Sequence, residues 1–397
     1  MVLDLSRVLS GPYCTMYLAD MGARVIKVER PGSGDDTRRF GPPFHKGQST
    51  YYLSINRGKE SLALDLKSDE GRKIARSLAS KADVVIQNFR PGVADRLGLG
   101  WDALHADNPR LIYASISGFG LEGLPEYSKL PGYDVVIQGI GGIPSLTGAA
   151  EGAPHKVGTS IADMVAGMYA LHGVLLALYS RERTGEGRHV DISMLDGQVS
   201  LLTYQSTMWW LAGQPPPRLG NAHPNISPYE TYVASDGHFN LAIATDAHFV
   251  VLTAALGLPA LAKDERFATN ASRVAHRELL NDVIAPHFAE QPVAHWLEEL
   301  GRAGIVCGPI NDVPAALAHP QLAAREMVVD LEHPDYGPIR VLGNPVKLSG
   351  AEIGPTTAPP TLGEHTDTVL AEVLGLDEQA LAELRRTGVI QSAGATP

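Results

Sequence analysis

Short, nearly continuous apolar runs alternate with amphipathic stretches through the N-terminal part of the chain. Val2 to Leu5, Val25 to Val28, Val84 to Gln87 and Leu111 to Ile116 have the length and composition of strands buried on both faces. Between them, Tyr13 to Met21 reads as a helix stopped by Gly22. Ser68 to Ser80 reads as a helix with an acidic first turn, and Trp101 to Ala106 as a third. Strand and helix in alternation predict an α/β fold, a Rossmann-like, doubly wound parallel sheet. Such sheets bind ligands beyond the carboxyl ends of their strands, which directs attention to the segments after Leu5, Val28, Gln87 and Ile116.

Further along, apolar residues recur at helical spacing from Ile161 to Arg181, with Gly185 as the stop. Val190 to Ser193 follows as a strand, and Leu195 to Leu211 as a second long apolar helix. Pro215, Pro216 and Pro217 then open a stiff connector. Strands at Tyr229 to Val233 and Phe239 to Ile243, mixed with several helices, describe a smaller α+β domain, and a last helical pair runs from Thr366 to Leu384. The expected organisation is a large domain over 1–214, a linker and small domain over 215–330, and a C-terminal segment over 331–397.

Composition narrows the function classes. With 397 residues, 44% of them apolar and 19% charged, the chain has ample material for a core. A net charge of −11 argues against nucleic acid and anionic membranes as partners, because both need a dense positive surface. Cys14 and Cys307 are the two cysteines, with no metal-ligand spacing around them. Neither a disulfide framework nor a metal site is expected, and a reducing compartment fits. The opening Met1-Val2-Leu3-Asp4-Leu5 carries no export signal, so a cytoplasmic protein is expected. The longest apolar run, around Val174 to Tyr179, is far short of a bilayer span, so no membrane segment is expected.

Gly118-Phe119-Gly120-Leu121-Glu122-Gly123 matches the dinucleotide fingerprint in form, yet Pro125 and Pro131 interrupt the helix that should follow it. No phosphate loop of the nucleoside triphosphatases and no serine-hydrolase elbow occurs. His172 sits on an apolar helix and reads as core; His45, His155, His189 and His223 lack ligand spacing. Cys14 has no evident basic partner to activate it. Asp163 follows a Gly-Thr-Ser turn at the start of the long apolar helix. Free N–H groups there favour the ionised carboxylate, which is a competent nucleophile toward an activated acyl group. Plain helix capping accounts for the same residue equally simply.

Val8-Leu9-Ser10-Gly11-Pro12, Leu18-Ala19-Asp20-Met21-Gly22-Ala23 and Val25-Ile26-Lys27-Val28-Glu29 closely resemble the opening of the class III CoA-transferase family. That family includes formyl-CoA transferase, carnitine CoA-transferase and α-methylacyl-CoA racemase. The likeness continues through Asn56-Arg57-Gly58-Lys59, Asn88-Phe89-Arg90-Pro91-Gly92, Ser117-Gly118-Phe119-Gly120, Pro131-Gly132-Tyr133-Asp134 and Thr184-Gly185-Glu186-Gly187. It reaches Leu362-Gly363-Glu364-His365-Thr366, covering essentially the whole chain. Such chains usually start a few residues before the position of Met1, which points to a native start further upstream.

The resemblance implies that Asp163 is the catalytic aspartate, carrying the acyl group as an anhydride and CoA as a thioester. It implies coenzyme A or acyl-CoA as substrate, with no tightly bound cofactor. Arg30, Leu64, Lys67, Asn88, Phe89, Val93 and Arg96 would form the nucleotide site, with Leu9, Ser10 and Met194 along the pantetheine and thioester end. Racemases of the family place a histidine where this chain has Tyr133. Tyrosine is a poor base near neutral pH, so transfer is favoured over racemisation, with Asp134 or Asp246 as the bases an altered isomerase would need. A CoA-binding protein without turnover is the third reading. No run of four glycines like the mobile loop of the formyl and oxalyl enzymes occurs, which argues against oxalate as acceptor. Arg38 or Arg39 offers a guanidinium fork for the distal carboxylate of a dicarboxylic acid; we expect a short dicarboxylate acceptor, with Arg38 and Tyr133 at its site and succinyl-CoA as donor. The resemblance also implies an interlocked homodimer, with the C-terminal segment returning to the large domain.

Overall fold

The structure, a computed structural model, describes residues 1–394. Its central sheet is built from β1 (Val2–Asp4), β2 (Val25–Glu29), β3 (Lys59–Leu64), β4 (Val84–Gln87), β5 (Ile112–Ser117) and β6 (Arg188–Ser193), with β7 (Ile390–Gln391) at one edge. The order is β7-β3-β2-β1-β4-β5-β6, parallel throughout except that β7 runs antiparallel to β3. The six parallel strands therefore have the order 3-2-1-4-5-6 of a doubly wound sheet. The chain reverses direction across the sheet between β1 and β4, where a crevice opens at the strand ends.

Both faces of the sheet are covered, as the continuous apolar runs require. The principal helices of this part of the chain are α1 (Ser10–Asp20), α2 (Asp69–Lys81), α3 (Asp134–Ile140), α4 (Ile161–Thr184) and α5 (Met194–Ser200). Leu3, Leu5, Ile26 and Leu64 pack with Ile74 and Leu78 of α2, whereas Val2, Val84, Ile112 and Ala114 pack with Leu18 of α1 and Ala166, Ala170 and Val174 of α4. Alternate residues of one strand thus feed opposite cores. Gly185 ends α4 in the left-handed conformation, at φ 75°. By length and composition α4 is apolar enough to cross a membrane, a property of the whole helix that the short run Val174 to Tyr179 does not reveal. Much of it instead packs into the core just described.

Two compact units emerge. One comprises Met1–Gly142, Val157–Thr203 and the chain from Pro320 onwards; the other comprises Ile143–Lys156 and Tyr204–His319. These limits differ from the expected 1–214, 215–330 and 331–397. The division falls ahead of the proline run because the apolar stretch Leu195 to Leu211 is two helices. They break where Thr203 takes φ 40°, a conformation disfavoured for a β-branched residue. The smaller unit carries an antiparallel three-stranded sheet around Phe239, Leu241, Phe288 and Trp296. The C-terminal chain rejoins the larger unit. Ser61 Oγ accepts from Gly363 N–H at 2.9 Å, Thr366 Oγ1 accepts from Ala63 N–H at 3.1 Å, and β7 extends the sheet beside β3.

Beneath the crevice lies a buried ionic cluster. Lys59 Nζ stands 3.3 Å from Asp4 Oδ2 and donates to Pro12 O and Asn56 Oδ1, each at 2.9 Å. Lys27 Nζ pairs with Asp35 Oδ2 at 2.9 Å and donates to Ser6 O at 3.0 Å, while Thr15 Oγ1 donates to Asp4 Oδ2 at 2.6 Å. These charges share partners, which is what makes their burial tolerable. Burial lowers Lys59 to about 8 despite Asp4, and Asp35 is held down at about 2 because Lys27 and Thr37 outweigh its desolvation. The cluster ties down Ser6, in the loop between β1 and α1, and Pro12, in the first turn of α1 beyond it.

Candidate active site

That loop enters the crevice under strain. Val8 takes φ 67°, rare for a β-branched residue, and its N–H reaches both oxygens of Asp35 at 3.3 and 3.2 Å. Asn88, at the end of β4, grips its neighbour Arg7 by both main-chain groups. Oδ1 accepts from Arg7 N–H at 2.8 Å, and Nδ2 donates to Arg7 O at 2.7 Å and to Ser10 Oγ at 3.3 Å. Two loops on either side of the switch point are thereby locked together.

Asp163 faces this junction from the first turn of α4. The capping reading fails for it, because a different carboxylate caps the helix. Asp134 Oδ1 accepts from Ala162 N–H at 2.9 Å and Asp163 N–H at 3.4 Å, while its Oδ2 accepts from Gln138 Nε2 at 2.7 Å. The Asp163 side chain is left to face the cleft, where the nearby Ser10 hydroxyl favours its ionised form. Close approach of two helices makes that proximity possible. A Cβ on Gly167, one turn beyond Asp163, would lie 2.6 Å from Ser10 O, so only glycine lets α4 meet the start of α1. The expectation that the helix terminus keeps Asp163 ionised needs correction. Burial, reinforced by the Asp134 charge, pushes it up to about 7 against the Ser10 hydroxyl.

Around Asp163 is a chamber of about 670 Å³, lined among others by Arg7, Ser10, Arg39, Phe40, Asn88 and Tyr133. Met194 and Ser117 also line it. Gly118 and Gly132 close one wall. A Cβ on Gly118 would come 2.6 Å from Gly132 Cα, so the first glycine of the fingerprint-like motif serves a backbone crossing. Arg7 and Phe89 are shared with a second cavity of about 290 Å³, lined also by Arg30, Leu64, Lys67 and Val93. This narrower space combines an apolar floor, including Leu5 and Val28, with three cations, Arg7, Arg30 and Lys67.

Most sequence-derived site residues therefore come together: Asp163, Ser10, Asn88, Phe89, Tyr133 and Met194 in the chamber, and Arg30, Leu64, Lys67 and Val93 in the adjoining cavity. Three do not. Leu9 is buried beneath the loop against Met16 and Ile55, and Arg96 lies exposed on a short helical turn outside both linings. Arg38 turns into the core. Its guanidinium donates to both Glu29 oxygens at 2.7 Å and to Tyr52 Oη at 2.6 Å, over the Tyr52 ring, so its carboxylate-binding fork is already taken by Glu29 and it does not line the chamber. Cys14 is buried, its thiol pushed up by desolvation, and is inert. Sequence reasoning missed Arg7, Phe40 and Arg90 in the lining, and Tyr51, whose phenol feels the Asp163 and Asp134 charges. The position of Arg7 and Arg90 next to predicted strand ends was the available signal.

Comparison with known proteins identifies the family. The family model of CoA-transferase family III matches residues 1–366. The chain is 44% identical to acetyl-CoA:oxalate CoA-transferase of Acetobacter aceti, over 88% of each chain. It is 42% identical to succinate–glutarate CoA-transferase of Agrobacterium fabrum over 96% of each. Human succinyl-CoA:glutarate CoA-transferase is 38% identical, over 98% of this chain and 88% of that one. Among solved structures, a CAIB/BAIF family protein from Brucella suis superposes with a TM-score of 0.85 at 42% identity, covering 94% of this chain and 97% of that one. The family match over residues 1–366, the relatives at 38–44% identity and the shared fold leave one conclusion: this chain belongs to CoA-transferase family III and is an enzyme of the CoA-transferase class.

Proposed function

We propose that the protein moves CoA from succinyl-CoA to a short dicarboxylic acid, with Asp163 as nucleophile. The observation that carries this reading is the half-buried Asp163 carboxylate in a chamber joined, past Arg7 and Phe89, to a cavity edged by Arg30 and Lys67. The annex suits the nucleotide of CoA: Leu64, Val93 and Phe89 offer apolar contact, and Arg30 and Lys67 meet phosphate charge. Pantetheine then runs past Arg7 and Phe89 toward Ser10 and Met194. The two glutarate enzymes named above pair succinate with glutarate, which supports a dicarboxylate on both sides of the exchange, while the oxalate enzyme takes acetyl-CoA as its partner.

Chemically, an Asp163 oxygen attacks the thioester carbonyl, the C–S bond breaks, and CoA thiolate departs from a mixed anhydride. The thiolate attacks the aspartyl carbonyl and frees the donor acid, leaving an aspartyl thioester. The acceptor carboxylate displaces CoA to form a second anhydride. Thiolate attack on its acyl carbonyl releases the new acyl-CoA and restores Asp163. Each bond made replaces one of similar energy, so little is lost provided water stays out. Tyr133 in the chamber leaves racemisation without its histidine base.

Intact-protein mass spectrometry after mixing with succinyl-CoA tests the reading. We expect a hydroxylamine-sensitive adduct on the wild type and none on Asp163→Ala; solvent deuterium entering an α-position with no adduct would replace transfer by isomerisation. Oxalate is the second acceptor reading, favoured by the 44% identity to an oxalate enzyme, and a side-by-side assay of oxalate and glutarate decides between them. We also propose an interlocked homodimer. Exposed Leu176 and Tyr179 on α4, at 70% and 66%, support a partner for that face, and sedimentation across a dilution series is expected to show no folded monomer.

A further inference from the structure

Arg38 and Arg39 are adjacent in the short turn Asp36–Arg39, yet they have opposite fates. Arg38 is 9% exposed in its ion pair with Glu29. Arg39 is 65% exposed, touches only Asp36 among acidic groups at 3.2 Å, and lines the Asp163 chamber. A tight turn sends successive side chains to different sides, so anchoring the first in the core presents the second to the cleft. Of the other lining cations, Arg7 is shared with the nucleotide cavity, whereas Arg90, like Arg39, lines the chamber alone but directly follows Phe89, which borders both spaces. Arg39 is the chamber cation set apart from that shared border.

Its neighbour links it to the chemistry. Phe40 stacks edge-on against Tyr51 with ring centres 5.6 Å apart, and Tyr51 feels the charges of Asp163 and Asp134. Burial and the Asp163 and Asp134 charges push the Tyr51 phenol up to about 12, which places that ring within electrostatic reach of the nucleophile. Phe40, Leu130 and Ile116 give the chamber apolar walls, suited to methylene groups.

We propose that Arg39 reads the distal carboxylate of the substrate, and that it does so for donor and acceptor alike. The inference rests on the transfer reading above. In that exchange the departing acid and the incoming acid each form an anhydride with the same Asp163 carboxylate, so their chains occupy the same volume and meet the same cation. Donor and acceptor selectivity are then one property of one residue.

The experiment measures kcat/KM for two matched pairs: succinyl-CoA against butyryl-CoA as donors, and glutarate against valerate as acceptors. In Arg39→Gln both dicarboxylate-to-monocarboxylate ratios are expected to fall about 10- to 100-fold, the factor carried by one charge-assisted hydrogen bond, and by equal amounts within about threefold. Arg39→Lys, which keeps the charge, is expected to restore part of each ratio. Movement of one ratio without the other overturns the shared-site inference; equal losses for monocarboxylates and dicarboxylates make Arg39 a support of the loop only. Absence of any wild-type adduct with succinyl-CoA defeats the transfer reading and this inference with it, whereas a normal adduct with unmoved ratios defeats this inference alone.

Discussion

At the scale of the residue, Asp163 is under two opposed demands. The proposed transfer needs it as a carboxylate, but burial and Asp134 make the carboxylate costly and raise it to about 7. The acid limb of kcat/KM is therefore expected near pH 7, with activity rising as pH increases through it. Asp134→Asn keeps the cap on Ala162 N–H while removing the like charge. It should move that limb to lower pH, which a pH–rate profile of the variant checks. Stability has the opposite sense. A carboxylate raised in the folded state binds its proton more readily there than in the unfolded chain, so stability grows as pH falls from above about 7 toward about 4. Asp163→Asn should accordingly be more stable than wild type at about pH 8, by about 1–3 kcal/mol in urea denaturation, with the gap closing near about pH 4. A functional group that destabilises its own fold is a common consequence of selection for activity.

At the scale of the element, the site depends on how closely backbones approach. Gly167 lets α4 touch α1, and Gly118 lets the end of β5 cross the 131–133 loop. An added methyl at either position meets main-chain atoms at 2.6 Å. Gly167→Ala is expected to cost about 1–3 kcal/mol in thermal or urea denaturation and to lower kcat by a larger factor, because it displaces Asp163 from Ser10. Helix and strand positions were legible because burial imposes period and length on the sequence. Val2 to Leu5, Ser68 to Ser80 and the Gly185 stop all reappear with shifts of a few residues at most. The single helix read over Leu195 to Leu211 did not survive, since nothing in its apolar spacing records the left-handed Thr203 that breaks it.

At the scale of the whole molecule, the buried cluster of Asp4, Lys27, Asp35 and Lys59 holds the β1–α1 loop from below. Lys59→Met strands Asp4 in the core and is expected to cost about 3–5 kcal/mol, measured by urea titration. The double variant Asp4→Leu with Lys59→Met should recover most of that loss. Patterning along the chain, together with motif likeness, determined the α/β class, the strand ends at which ligands bind, the family and the candidate nucleophile. These are local properties, written in residue type and spacing. Which arginine faces the chamber, which carboxylate caps α4, and where the chain divides were decided by tertiary structure alone. Arg38 and Arg39 are chemically identical neighbours, and only the packing of Glu29 and Tyr52 against one of them leaves the other for the substrate. Asp134 and Asp163 are equally good caps by type, and what separates their roles is the three-dimensional placement of α3 against the first turn of α4.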